Sequence, residues 1–148
     1  PYGPHQHGRN KQGVIGSWLS STIKNEPIEL YGDGEVIRDY LFIDDLVNAL
    51  TITIENPGLA SGVYNIGSDR GYSLHEISEI LKKIEGVNLQ INRRPGRKFD
   101  VPINILNSQK FRLSTGWRPE HSLEIGIEKT LKWLIENKIQ KNESRFTL

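Results

Sequence analysis

Residues 28–46 read IELYGDGEVIRDYLFIDDL, and the fold follows from how this stretch divides. Residues 28–31 alternate apolar and polar side chains, the period of a half-buried strand. Gly32-Asp33-Gly34 then breaks the chain, because glycine adopts backbone angles that other residues resist. Residues 36–43 are rich in β-branched and aromatic side chains and predict a second strand, with Arg38 and Asp39 inside it. Asp44-Asp45 ends that strand and supplies the cap of a following helix. Two readings of Arg38-Asp39 stand side by side. The pair is a structural ion pair at a strand edge, or Arg38 presents its permanently charged fork to a phosphate.

Outward from this stretch, residues 14–24 place Val14, Ile15, Trp18, Leu19 and Ile23 near one helical face, so an amphipathic helix is expected before the first strand. Asn25-Glu26-Pro27 ends it. After the second strand, residues 45–54 read as a helix with Leu46, Ala49, Leu50 and Thr53 spaced for burial, closed by Asn56-Pro57-Gly58. Residues 62–67 read as a short buried strand bounded by glycines. Ser73-Leu74-His75-Glu76 is a capping box that opens a helix with Ile77, Ile80, Leu81 and Ile84 inward and His75 on the surface. Residues 87–91 alternate as a strand, followed by four cations in the six residues 93–98. Ser122 caps a last helix over 123–138, and residues past 139 form a polar tail. Short apolar strands alternating with amphipathic helices make this an α/β chain, with the strands over 28–30 and 89–91 as parallel neighbours.

Composition excludes several function classes. The chain of 148 residues has 36% apolar and 25% charged residues and a formal net charge of +1, an ordinary balance for a globular domain. Nothing in that charge suggests a nucleic-acid or membrane-surface partner, and no run approaches the roughly 18 apolar residues of a membrane span. Cysteine is absent, which excludes disulfides and thiolate metal sites and fits a reducing compartment, the cytoplasm. His5 and His7 lie in a polar loop without a nearby acidic residue, too little for a metal site.

These motifs resemble the C-terminal half of the extended short-chain dehydrogenase/reductase family, and within it nucleotide-sugar epimerases of the UDP-glucose 4-epimerase type. The likeness runs from Pro1-Tyr2-Gly3-Pro4 through GDGEVIRDYLFIDDLVNAL, Tyr64-Asn65-Ile66-Gly67 and Pro95-Gly96-Arg97-Lys98-Phe99-Asp100-Val101 to Lys110 and Gly116-Trp117. It implies that Arg38 and Arg97 bind a substrate diphosphate, that Asp100 accepts from a ribose hydroxyl, and that backbone groups of Glu29 and Tyr31 clasp the base. Ser17 stands where the family places a polar residue against the sugar nucleotide, and Asn107 where aspartate is usual. A UDP-sugar partner, NAD as cofactor, a role in carbohydrate metabolism and a homodimer built through an N-terminal half are further implications.

The residues that would bind NAD and move protons are missing from this stretch. A G-x-x-G-x-x-G loop lets backbone N–H groups reach a pyrophosphate, but after Gly13 and Gly16 the third position is Leu19. A Tyr-x-x-x-Lys pair would serve proton transfer, yet Tyr2, Tyr31, Tyr40, Tyr64 and Tyr72 are followed four residues on by Gln6, Glu35, Asp44, Ser68 and Glu76. With no methionine and proline at position 1, the expectation is a substrate-binding fragment over 1–139 that binds no NAD itself. Two classes stay open: part of an enzyme, whether epimerase, dehydratase, decarboxylase or reductase, and a binding module without chemistry.

Overall fold

A computed structural model describes residues 1–6, 13–96 and 100–143, with side chains to residue 137. Arg97, His7 and the tail beyond Glu143 lie outside the described residues. The elements run α1 (Val14–Ile23), β1 (Ile28–Tyr31), β2 (Ile37–Asp39), α2 (Ile43–Glu55), β3 (Gly71–Ser73), α3 (Leu74–Lys82), β4 (Ile91–Arg94), β5 (Ile103–Asn104), α4 (Gln109–Thr115) and α5 (Leu123–Glu143). The α/β class expected from the sequence is what these elements form.

Two small sheets organise them. β1 pairs with β4 in parallel, Ile28 opposite Ile91 and Tyr31 opposite Arg94. β2 is the centre of the other sheet, antiparallel to β3 and parallel to β5, so the strands are not all parallel. Between the sheets, Gly32 and Gly34 turn the chain at φ 71° and 88°, where a side chain would be strained. The larger core gathers Trp18, Leu19, Ile28, Leu30, Phe42, Tyr72, Ile77, Leu81 and Ile127 from both sheets and three helices. A smaller one joins Leu41, Ala49, Phe111 and Trp117.

Several sequence expectations shift. The strand expected over 36–43 stops at Asp39, because Leu41 and Phe42 turn into the two cores and Phe42 forms a lone bridge with Tyr2. α2 therefore begins at Ile43 with Phe42 at the cap position. Asp44 and Asp45 sit within the first turn, where a negative charge still suits the helix dipole. Asp45 directs its buried carboxylate elsewhere, accepting from the backbone of Glu120 and His121 and from His121 Nδ1 at 2.8 Å. Leu50 is half exposed rather than buried, and Thr53 is also exposed. Residues 62–67 form no strand, for no ladder partner lies beside them among the described residues; Lys110 and Ser108 side chains bond the backbone of Val63 and Gly67 instead. The strand expected over 87–91 lies over Ile91–Arg94, which draws Arg93 and Arg94 out of the basic loop and into the ladder. The last helix continues to Glu143, beyond the expected boundary at 139, and Ile135 stays partly exposed on it. The capping box is present as expected, with Ser73 Oγ accepting from Glu76 N at 3.1 Å and Glu76 Oε2 accepting from Ser73 N at 2.7 Å. His75 is on the surface.

Candidate functional site

A cleft of about 730 Å³ opens between α1, β1 and the chain on either side of β2. Ser17, Glu29, Tyr31, Arg38 and Asp100, from four separated stretches, all line it. Five of the six residues singled out as substrate-binding thus converge on one hollow, and the sixth, Arg97, belongs to the undescribed segment three residues before Asp100.

Each wall follows from local structure. α1 buries Ile15, Trp18, Leu19 and Thr22 and turns Ser17, Ser20 and Ser21 toward the cleft. β1 buries Ile28 and Leu30, and alternation sends the Glu29 and Tyr31 side chains to the other face. Its backbone alternates as well. Ile28 N and Gly32 N donate to β4-side carbonyls at 2.8 and 2.9 Å, so Glu29 and Tyr31 turn their backbone groups away from β4. There Trp18 Nε1 donates to the Glu29 carbonyl at 3.2 Å, tying strand to helix. The Glu29 carboxylate forms an ion pair with Arg94 across the ladder.

Arg38 and Asp39 are not partners. Strand alternation puts their side chains on opposite faces, and each has its own contacts. Arg38 Nη1 donates to the Ile37 carbonyl at 2.8 Å and to the Val101 carbonyl at 2.6 Å, and no ion pair engages this guanidinium among the described residues. Asp39 accepts from Ser68 N and Oγ at 2.8 and 2.7 Å, and from Asp69 N and Leu106 N, both at 3.2 Å. The carboxylate ties two loops to β2 and leaves Arg38 in the cleft with an uncancelled charge. The Val101 contact and the bond from Ile37 N to the Pro102 carbonyl dock the segment that brings Asp100 to the rim.

One cleft residue escaped the sequence reading. Tyr40 lines the hollow two residues beyond Arg38, on the same side. The signal was the same alternation that separates Arg38 from Asp39. Burial pushes its phenol up to about 12, against the smaller opposing pull of Arg38. Asn65, by contrast, holds loops together, donating to the Asn107 carbonyl at 3.4 Å.

The glycines at 13 and 16 have a packing role. A side chain at Gly13 would meet the Gln6 side chain at 2.5 Å, and one at Gly16 the Gln6 carbonyl at 3.1 Å. These glycines make room for Gln6, and Gly16 lies inside α1. No helix among the described residues is long and apolar enough to cross a membrane.

The family model described as NAD dependent epimerase/dehydratase family matches residues 1–67. A curated relative, the dTDP-4-dehydro-6-deoxyglucose reductase of Escherichia coli, is 33% identical over 138 residues, 89% of this chain and 42% of the relative. The crystal structure of UDP-glucose 4-epimerase with UDP-glucose from Thermotoga maritima superposes with a TM-score of 0.83 at 33% identity, over 93% of this chain and 44% of that one. A UDP-glucose 4-epimerase of Thermus thermophilus in complex with NAD gives 0.78 at 26%, over 90% and 43%. The chain spans rather less than half the length of these proteins.

Proposed function

Because the chain belongs to the NAD-dependent epimerase/dehydratase family, we propose that it is the substrate-binding portion of a nucleotide-sugar epimerase of the UDP-glucose 4-epimerase kind. The observation that carries this reading is the convergence of Ser17, Glu29, Tyr31, Arg38 and Asp100 on one cleft. In it the Arg38 fork grips a diphosphate. The Asp100 carboxylate accepts from ribose hydroxyls, and the backbone edge at Glu29 and Tyr31 meets the base. Arg97, three residues before Asp100, supplies the second cation to the diphosphate. NAD, the whole enzyme's hydride carrier at the sugar's C4, belongs to a portion outside these residues, and the homodimer is assigned to that portion too. This chain's own contribution is to bind and orient, in the cytoplasm, a sugar that another part of the protein oxidises and reduces.

Titration of the full-length protein with UDP tests the reading. A charge-assisted bond to phosphate contributes about 1.5–3 kcal/mol, so Arg38→Ala and Arg97→Ala should each weaken UDP roughly tenfold to a hundredfold. Asp100→Asn should cost less, since an amide oxygen still accepts. Affinities within about twofold for both arginine variants, the behaviour of exposed surface charges, would refute it. The 33% identity to a dTDP-sugar reductase favours a second reading, a reductase of 4-keto sugars, which tighter binding of dTDP than UDP would support.

A further inference from the structure

We propose that Tyr40 is a second hydrogen-bond donor to the diphosphate held by Arg38, placed by the alternation of residues 38–40 and committed to no partner among the described residues. The inference rests on the cleft's being a nucleotide-diphosphate site. Arg38 and Tyr40 both line the cleft, while Asp39 between them is bound to loops on the far side. The Tyr40 ring is fixed: it packs against the larger core and meets the Tyr2 ring edge-on, centroids 6.4 Å apart at 77°. Its hydroxyl makes no hydrogen bond to any described residue, unlike those of Tyr2 and Tyr64, which donate to the carbonyls of Leu123 and Ala60.

The need for a second donor follows from how Arg38 is used. Its Nη1 is occupied by the carbonyls of Ile37 and Val101, which fixes the guanidinium but removes one arm of the fork from any ligand. Bidentate grip on one phosphate then rests on Nε and Nη2 alone, and a diphosphate offers more acceptor oxygens than those two can satisfy. A neutral O–H beside the guanidinium meets this need without adding charge. A tyrosine phenol is protonated at neutral pH, and burial only moves its ionisation further away, so it donates.

Tyr40→Phe separates this role from packing, because phenylalanine preserves the ring and removes only the hydroxyl. In the full-length protein, UDP and uridine are titrated by calorimetry into wild type and variant. The expected result is about a tenfold loss of UDP affinity, with uridine affinity within about twofold and the melting temperature unmoved. An unchanged UDP affinity overturns the proposal, and so does an equal loss for uridine and UDP, which would place Tyr40 at the nucleoside instead. If wild type binds uridine and UDP equally, the diphosphate reading of the cleft fails first and Tyr40's role falls with it. Wild-type preference for UDP, retained in full by Tyr40→Phe, sinks the Tyr40 role alone.

Discussion

Replacing Asp39 by asparagine should destabilise the fold sharply while leaving the neighbouring arginine's charge in place. The carboxylate divides its work evenly: Oδ1 accepts from Ser68 N and Oγ, Oδ2 from Asp69 N and Leu106 N. An amide has one oxygen. It can keep one pair, and its NH2 then faces the two donors of the other pair. Bonds to a charged acceptor contribute about 1.5–3 kcal/mol each. The site is only half-buried, so water recovers part of the loss. We expect Asp39→Asn to lose about 2–3 kcal/mol and Asp39→Ala about the same or slightly more. Urea unfolding followed by circular dichroism measures this, with an unchanged slope indicating that stability alone has moved. Arg38→Ala is the control. It removes two bonds to carbonyls at the cleft rim and should cost about 1 kcal/mol. A loss below about 0.5 kcal/mol for Asp39→Asn would refute the division of labour between the two residues, as would an Arg38→Ala loss as large as that of Asp39→Asn.

Gly126→Ala should destabilise, although alanine in a helix interior ordinarily gains about 1 kcal/mol over glycine. The added methyl would lie 2.0 Å from Tyr2 Oη and 2.9 Å from Phe42 Cδ2, and overpacking of this kind costs about 1–3 kcal/mol; a rise in melting temperature would contradict it. Asp45→Ala orphans Glu120 N, His121 N and His121 Nδ1 and should lose about 2–4 kcal/mol in the same urea assay, a negligible change being the contrary result. Stability should also fall at alkaline pH. Burial raises Tyr40 from 10 to about 12, raises Tyr2 further and raises Tyr72. A raised folded pKa means that the fold prefers the protonated phenol, so this stabilisation is complete below pH 10 and is lost as pH climbs through 12. Phenolate absorbance and unfolding followed over that range check it. Stability flat through the window, or Tyr40 ionising near 10, would oppose the prediction.

What the sequence made legible is what depends on neighbours in the chain. The bounds of β1, the glycine turn and the capping box are local, and each is found where residues 28–34 and 73–76 place it. The misplacements share another cause, which is pairing. A strand exists only where a partner supplies its ladder. Residues 62–67 have strand-like side chains and no ladder partner among the described residues, so side chains of Ser108 and Lys110 meet their backbone instead. β4 slides forward because its register is set by β1, which places Arg94 opposite Tyr31 and within reach of Glu29. Leu50 reads as buried on helical spacing, yet α2 packs through Ala49 and the chain's own elements leave Leu50 half exposed.

The Arg38-Asp39 ambiguity is of a different kind, because the means to resolve it lay within three residues. Adjacency suggests an ion pair, but in an extended strand adjacent side chains point to opposite faces, about as far apart as neighbours can be. Once residues 37–39 are a strand, the pair must be divided, and the only open matter is which face is which. The three-stranded sheet decides that, with Ser68, Asp69 and Leu106 gathered on the side of Asp39. The same rule carries on one step to Tyr40, returning it to the side of Arg38. A tripeptide thus assigns three tasks by direction alone: a charge for the cleft, an anchor for the loops behind it, and a phenol beside the charge. Residue type says what each could do, and strand period says where each can do it.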